Sequence, residues 1–212
     1  MSNRLPVYLL IDSSGSMNGE PIHSVNEGLR AMMSALKQDL YALDTVHLSL
    51  ITFDRNIKEI FPLTPIKEIE IEDIVPPSSG PTHLGEALEH IIECYHKDIA
   101  SQNNQDDFLP MLFVMTDGKP SDVMLFNEMS QKIKKLNFSS IIGCAAGPKA
   151  KTEYLQEFAS SVISMEMVDS SSFLAFFKWV SDSISKESQK KTKSNQADTT
   201  LPSPPSEINM VL

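Results

Sequence analysis

The sequence predicts an α/β protein with a doubly wound, mostly parallel sheet, one antiparallel edge strand and helices on both faces. Strand-like and helix-like patterns alternate along most of the chain, which is typical of βαβ units. Segments 7–11 and 110–115 are continuous apolar runs, as expected of strands covered on both faces. Only three residues separate the strand-like segments 46–53 and 57–63, which predicts a hairpin at one edge of the sheet.

The first half of the chain supplies three predicted strands and two helices. Residues 6–11 form the first strand, and the helical spacing of the apolar side chains that follow predicts a helix over 21–39, with Pro21 in its first turn. After the hairpin, segment 64–82 carries four prolines and is predicted to be mostly loop. Apolar residues at helical spacing then predict a second helix over 84–95.

The second half continues the same alternation. In chain order it predicts a strand at 110–115, a helix at 126–136, a strand at 138–146, a short helix at 152–159, a strand at 162–165 and a helix at 173–184. A chain of 212 residues can bury one good core, so we predict a single domain over residues 1–185.

Residues 186–212 are predicted to form a flexible polar tail. Their composition changes to Lys, Ser, Thr, Gln and Pro without periodicity. Residues 208–212 are mostly apolar again, and two interpretations stay open: a segment that docks on a partner, or a disordered end without function, which is favoured. The many Ser and Thr residues of the tail also fit regulation by a kinase and a phosphatase.

The charge of the chain argues against nucleic-acid and membrane partners. There are 28 Asp and Glu residues against 18 Lys and Arg, and the net charge of −10 repels phosphate backbones and anionic lipid. No apolar run approaches the roughly 20 residues of a membrane-spanning helix, and the first residues lead into a strand rather than a signal peptide, so we expect a cytoplasmic protein. Cys94 and Cys144 fall in an amphipathic helix and a core strand, where buried, reduced thiols are expected.

Three segments place oxygen-bearing side chains beside the ends of predicted elements. Asp12, Ser14 and Ser16 directly follow the first strand, at the position where open α/β sheets bind ligands. Thr82 precedes the second helix, and Asp117 follows a later strand. The predicted topology brings these five side chains to one rim of the sheet. Two carboxylates and three hydroxyls suit a hard divalent cation, and the neutral hydroxyls leave that cation able to take one more anionic oxygen from a partner.

The three segments together resemble a von Willebrand factor type A (VWA) domain with a metal-ion-dependent adhesion site. Residues 12–16 match the family's Asp-x-Ser-x-Ser motif, residues 80–88 resemble its threonine loop, and residues 116–122 resemble its last aspartate loop. The resemblance implies a Rossmann-like fold with a bound Mg²⁺ or Mn²⁺. The ligands that it implies are the hydroxyls of Ser14, Ser16 and Thr82, with Asp12 and Asp117 acting directly or through water.

The resemblance also implies a function. The chain is expected to be an intracellular protein-interaction module whose partner offers a carboxylate or a phosphate to the metal. Within the family, it is similar to the compact bacterial TerY-type proteins, which are associated with tellurite resistance and stress responses. One departure from the family's pattern is Pro81, which stiffens the threonine loop directly before Thr82.

Residues that flank the predicted ligands are expected to line the rim of the site and to tune ligand choice. These rim residues are Met17, Asn18, His83 and Lys119. Asp122 lies close in sequence but is interpreted as the N-cap of the following helix, so it need not touch the metal.

Parts of the sequence are compatible with two other kinds of site. A metal-dependent phosphotransfer or hydrolytic enzyme is the alternative, but such a site needs a second carboxylate two residues after Asp12, where the chain has Ser14. The sequence also lacks a phosphate-binding loop, a dinucleotide fingerprint and a serine-nucleophile elbow. His90 with Glu86 and Glu93 forms a conceivable zinc face on one helix, for which solvated polar surface is the preferred interpretation.

Overall fold

The protein is built around one mixed sheet. The computed structural model describes residues 3–77, 80–100, 107–147, 150–165, 169–189, 201–205 and 209–211. Its strands are β1 (Leu5–Asp12), β2 (Val46–Phe53), β3 (Ile57–Pro65), β4 (Met111–Thr116), β5 (Ser140–Ala146), β6 (Ser161–Met165) and β7 (Asn209–Val211). They pair in the order β3-β2-β1-β4-β5-β6-β7. The five central strands are parallel, and β3 is antiparallel at one edge, so the predicted fold class is confirmed.

Helices cover both faces of the sheet, as predicted. They are α1 (Glu20–Gln38), α2 (Leu40–Thr45), α3 (Leu84–Tyr95), α4 (Val123–Ile133), α5 (Thr152–Gln156) and α6 (Ser170–Ser188). Helices α1 and α6 pack together in the hydrophobic cluster on one face, whereas α3 and α4 belong to the cluster on the other face. None of the helices in the described part of the chain combines the length and apolar character needed to span a bilayer.

Strand β1 has apolar side chains on both of its faces because helices cover both faces of the sheet there. All eight of its residues are buried. Side chains alternate between the faces of a strand, so a strand in the middle of a sheet that is covered on both faces requires apolar residues at both odd and even positions. The side chains facing α1 and α6 include Val7, Leu9 and Ile11, and those facing α3 and α4 include Tyr8 and Leu10.

The register of the central strands creates the rim on which the candidate site stands. Asp12, the last residue of β1, pairs with Phe53 of β2, and Ile11 pairs with Met115 of β4. The loops after β1 and β4 therefore leave the sheet at the same level. The loop before α3 joins them there, because the His83 amide donates to the Asp54 carbonyl at 2.9 Å.

One α-helix in the described part of the chain was not predicted from the sequence pattern. Helix α2 fills the six residues between the predicted end of the first helix and the start of β2. Its N-cap is Asp39, whose Oδ1 accepts hydrogen bonds from the amides of Tyr41 at 2.9 Å and Ala42 at 3.1 Å. These bonds satisfy amides that a short helix leaves without intrahelical partners, so capping explains this element better than apolar periodicity does.

Parts of segment 186–212, for which a flexible tail is predicted, lie in secondary structure or against the domain. Helix α6 continues through Ser188, beyond the predicted boundary at 185. Residues 201–205 lie beside the last helix, where the Trp179 indole donates to the Pro202 carbonyl at 2.9 Å and Leu201 packs against the core. Strand β7 pairs antiparallel with β6, which would otherwise present an open sheet edge, so the sheet has a second antiparallel edge strand. Predictions for 190–200, 206–208 and 212 lie outside the described residues.

Candidate metal centre

A buried carboxylate stands at the centre of the rim. Asp12 is fully buried, and its Oδ1 accepts a 2.8 Å hydrogen bond from the Ser14 amide while its Oδ2 accepts a 2.6 Å bond from the Thr116 hydroxyl. Burial raises the pKa of Asp12 to about 6, and these hydrogen bonds partly oppose that rise. Among the described residues, no Lys, Arg or His lies within ion-pair distance of this carboxylate. The fold thus fixes an oxygen ligand in a place that favours a compensating cation.

Two serine hydroxyls connect this loop to the loop after β4. The Oγ atoms of Ser14 and Ser16 lie 3.2 Å apart, and the Ser16 hydroxyl donates to Asp117 Oδ1 at 2.9 Å. Ser14 is buried whereas Ser16 is exposed. The chain of oxygens therefore runs from the interior to the surface, and solvent reaches it on the Ser16 side.

The threonine loop is held against the same rim by reciprocal hydrogen bonds. The Thr82 amide donates to the Ser121 hydroxyl at 3.2 Å, and the Ser121 amide donates to the Thr82 carbonyl at 2.8 Å. A Cβ atom built on Gly118 would lie 3.3 Å from Thr82 Oγ1, so the threonine hydroxyl stands beside the turn that carries Asp117. The structure thus brings all five predicted ligands to one rim.

A second contact fixes the helix that follows the threonine loop. Asp122 occupies the predicted N-cap position of α4, but its side chain makes no capping bond to α4. Instead its Oδ2 accepts a 2.8 Å hydrogen bond from the Glu86 amide in the first turn of α3. The two helix starts approach so closely that a Cβ on Gly85 would lie 2.5 Å from the Phe126 amide nitrogen. Gly85 and Asp122 therefore position Thr82 without belonging to the oxygen cluster.

The predicted rim is only partly correct. Met17 is fully buried in the core cluster under α1 and α6, because the 3₁₀ turn Gly15–Met17 points its last side chain inward. Asn18 and Lys119 are exposed, and His83 is half-buried with Nδ1 3.3 Å from Glu86 Oε2. A role in ligand choice stays a prediction for these three residues.

Sequence reasoning missed one residue that supports the site. Thr116 is the last residue of β4, and its hydroxyl both donates to Asp12 and accepts from the Gly118 amide at 3.2 Å. The strand register would have identified Thr116, because pairing Ile11 with Met115 brings the next residues, Asp12 and Thr116, together. A hydroxyl at that position supplies the hydrogen bond that a buried carboxylate requires.

The donor set of this rim fits a hard divalent cation. Its candidate ligands offer only oxygen, from two carboxylates and three hydroxyls, and oxygen ligands are those that Mg²⁺ and Mn²⁺ prefer. Nitrogen and sulfur donors, which soft ions favour, do not occur among these five side chains. The fold and this cluster define an α/β domain with a candidate cation site at the carboxyl ends of its central strands.

This class has a family name, since the chain belongs to the von Willebrand factor type A domain family. The family model matches residues 7–178, which confirms the predicted resemblance to the domain family. No match was found among curated proteins.

Solved structures agree on the fold. Proximal thread matrix protein 1 from the mussel byssus is 20% identical, with a TM-score of 0.65 over 85% of this chain and 48% of its own. A von Willebrand factor type A protein from Catenulispora acidiphila is 12% identical, with a TM-score of 0.64 over 86% of this chain and 43% of its own. The pilus adhesin SpaC from Lactobacillus rhamnosus GG is 12% identical, with a TM-score of 0.70 over 87% of this chain and 30% of its own. This chain spans less than half the length of each.

Proposed function

We propose that the protein is a metal-dependent protein-interaction module that binds an acidic group of its partner through a divalent cation. The hydroxyls of Ser14, Ser16 and Thr82, with Asp12 and Asp117, would hold the cation. The observation that carries the proposal is the oxygen cluster that runs from buried Asp12 through Ser14 to exposed Ser16 and on to Asp117 in the loop after β4. When bound, the cation supplies positive charge that attracts a carboxylate or a phosphate.

Each part of the site has a distinct task in this proposal. Asp12 anchors the cluster, because two hydrogen bonds fix both of its oxygens. The serine hydroxyls provide ligand oxygens without adding negative charge, which leaves more of the cation's charge for the partner. Ser16 and Asp117 lie at the solvent side, where a partner's acidic side chain can approach.

The comparisons support this function without fixing the metal. Domains of this family generally mediate protein–protein interactions. The mussel byssus protein, 19% identical here with a TM-score of 0.64 over 85% of this chain, has been solved with a zinc-occupied metal-ion-dependent adhesion site. For the present chain we propose Mg²⁺ or Mn²⁺, because its five ligand side chains offer oxygen alone. We propose that the protein binds rather than catalyses, since Ser14 stands where the enzymatic alternative needs a carboxylate.

The cellular setting is a further part of the proposal. The segments LLIDSSGSM (9–17) and MTDGKPSD (115–122) resemble the TerY-type proteins. On that resemblance we propose a cytoplasmic role in tellurite resistance or a related stress response.

Calorimetric titration with Mg²⁺ and Mn²⁺ tests the metal site. Wild type should bind about one ion per chain at this site, whereas Asp117→Ala should lose that binding because it removes one of two carboxylate ligands. Asp182→Ala, the same substitution at an exposed position on α6, is the matched control and should leave binding unchanged. Equal binding by wild type and Asp117→Ala would refute the site.

Partner binding is then tested with the same proteins. An acidic partner should be retained by wild type and Asp182→Ala in Mg²⁺ and released by chelator, because the cation provides the contact. Retention that is indifferent to chelator and to Asp117→Ala would assign binding to another surface.

A further inference from the structure

A second cluster of metal-binding side chains lies between α3 and the edge strand β3. Cys94 and His90 stand one turn apart on α3, and Glu59 reaches them from β3. Cys94 Sγ lies 3.6 Å from His90 Nε2 and 3.8 Å from Glu59 Oε2, and His90 Nε2 lies 3.7 Å from that same oxygen. One sulfur, one nitrogen and one oxygen thus converge on a common centre.

These three distances match one face of a coordination tetrahedron. Zinc bonds of about 2.0–2.3 Å at tetrahedral angles separate neighbouring ligand atoms by about 3.3–3.6 Å. The observed separations exceed these values by only a few tenths of an ångström. Small side-chain adjustments would therefore bring all three atoms within bonding distance of one ion.

The negative charge around the cluster favours a cation, and the same charge keeps the thiol protonated until a cation binds. Burial and the nearby carboxylates of Glu59 and Asp98 raise the pKa of the Cys94 thiol to about 12, so the thiol is protonated at neutral pH. A divalent ion would displace this proton to the solvent, and its two positive charges would neutralise the thiolate and the Glu59 carboxylate. The side chains of Glu59 and His90 remain 29% and 30% exposed, which leaves a path for the ion and for a water molecule as a fourth ligand.

The cluster differs from the zinc face that helical spacing makes conceivable, which joins His90 to Glu86 and Glu93. Glu86 lies instead beside His83, at 3.3 Å between Oε2 and Nδ1. Glu93 Oε2 lies 3.9 Å from His90 Nδ1, on the ring nitrogen that does not face the cluster. A carboxylate on that side is suited to orient the imidazole through its second nitrogen.

We propose that Glu59, His90 and Cys94 form a second metal site, for zinc or another divalent ion of similar softness. A mixed sulfur, nitrogen and oxygen set favours such an ion over Mg²⁺. The site is distinct from the oxygen cluster, since Cys94 lies ten residues, or about 15 Å of helix, beyond the start of α3 where Thr82 stands. A bound ion would fasten α3 to the edge strand β3.

Cobalt titration of the full chain tests this proposal, because a thiolate bound to Co²⁺ gives a charge-transfer band in the near ultraviolet. Wild type should show the band, with about one proton released per ion. Cys94→Ala should abolish it, and His90→Ala should weaken binding about tenfold or more. Asp117→Ala and Cys144→Ala should keep it, the first because it affects only the oxygen cluster. No band in wild type, or a band that survives Cys94→Ala, would overturn the proposal.

A second measurement leaves Glu59, His90 and Cys94, the three proposed ligands of this second site, unchanged. Alkylation of the two thiols is followed by mass spectrometry in Asp117→Ala, with and without Zn²⁺. Zinc should slow alkylation of Cys94 about tenfold or more by occupying its sulfur, while Cys144, buried in β5, serves as the internal control for general stabilisation. Equal rates at Cys94 with and without zinc would overturn the proposal even if Cys94→Ala fails to fold.

Discussion

Replacing Gly85 with alanine should displace the threonine loop by pushing the start of α3 away from α4. The new Cβ would lie 2.5 Å from the Phe126 nitrogen and 2.7 Å from Asp122 Oδ2, whereas ordinary contacts begin near 3.4 Å. The start of α3 must therefore move by nearly 1 Å relative to α4. This movement pulls the Glu86 amide away from the carboxylate that caps it. It also displaces Thr82, three residues earlier, from the rim.

The energetic cost follows from the same contacts. Overpacking costs about 1–3 kcal/mol, and loss of a hydrogen bond to a charged acceptor costs about 1.5–3 kcal/mol. The better helix propensity of alanine returns about 1 kcal/mol. The free energy of unfolding should therefore fall by about 1.5–5 kcal/mol, which is a shift of about 0.8–2.5 M in the urea midpoint for a slope near 2 kcal/mol/M.

Urea unfolding followed by Trp179 fluorescence measures this loss, and calorimetry measures the accompanying fall in Mg²⁺ affinity. Gly80→Ala is the matched control in the same loop, because its nearest contacts, at 3.8 Å, are ordinary. Gly80→Ala should unfold like wild type. A Gly85→Ala protein that unfolds at the wild-type urea concentration would refute the argument that close approach of the two helix starts positions the threonine loop.

Three further predictions concern other contacts. Thr116→Val should lower stability in chelator by about 1–3 kcal/mol, because it strips a hydrogen bond from buried Asp12; Thr116→Ser should unfold like wild type, and equal losses in both variants would contradict this reason. Truncation after residue 189 should shift the emission of Trp179, the chain's one tryptophan, to the red because the Pro202 contact is lost; unchanged emission would contradict that contact. Asp39→Ala should lower the free energy of unfolding by about 0.5–2 kcal/mol and the thermal midpoint with it, whereas Asp39→Asn should retain most of the cap. A larger loss in Asp39→Asn than in Asp39→Ala would contradict a capping role.

The central strands could be predicted because local sequence determines them. Continuous apolar runs mark β1 and β4 wherever they pack, since both faces of each are covered. Strand β7 could not be found in this way, because three residues carry almost no periodicity and the strand exists only by pairing with β6. Strand prediction from pattern therefore fails where the partner edge, rather than the segment itself, creates the element.

The same distinction between local sequence and long-range contacts applies to the site residues. Asp12 and the two serines lie in one motif, so spacing alone indicated them. Contacts between distant segments left no such pattern: the Asp122 cap on α3 joins residues 36 positions apart, and Glu59 meets Cys94 across 35 positions. The position of Met17 does not follow from its closeness to Ser16 in sequence, because the 3₁₀ turn buries Met17 and leaves Ser16 exposed.

The two antiparallel edge strands also affect whether a strand of another protein can pair with the sheet. An open parallel edge invites a foreign strand to extend the sheet, which is a route to uncontrolled polymerisation. Here the chain's own residues 209–211 occupy the edge of β6, and a strand of three residues offers an incoming chain few backbone hydrogen bonds. Lateral growth of the sheet is thereby discouraged at that end, which agrees with the proposed recognition through side chains of the loops at the carboxyl rim rather than through backbone pairing.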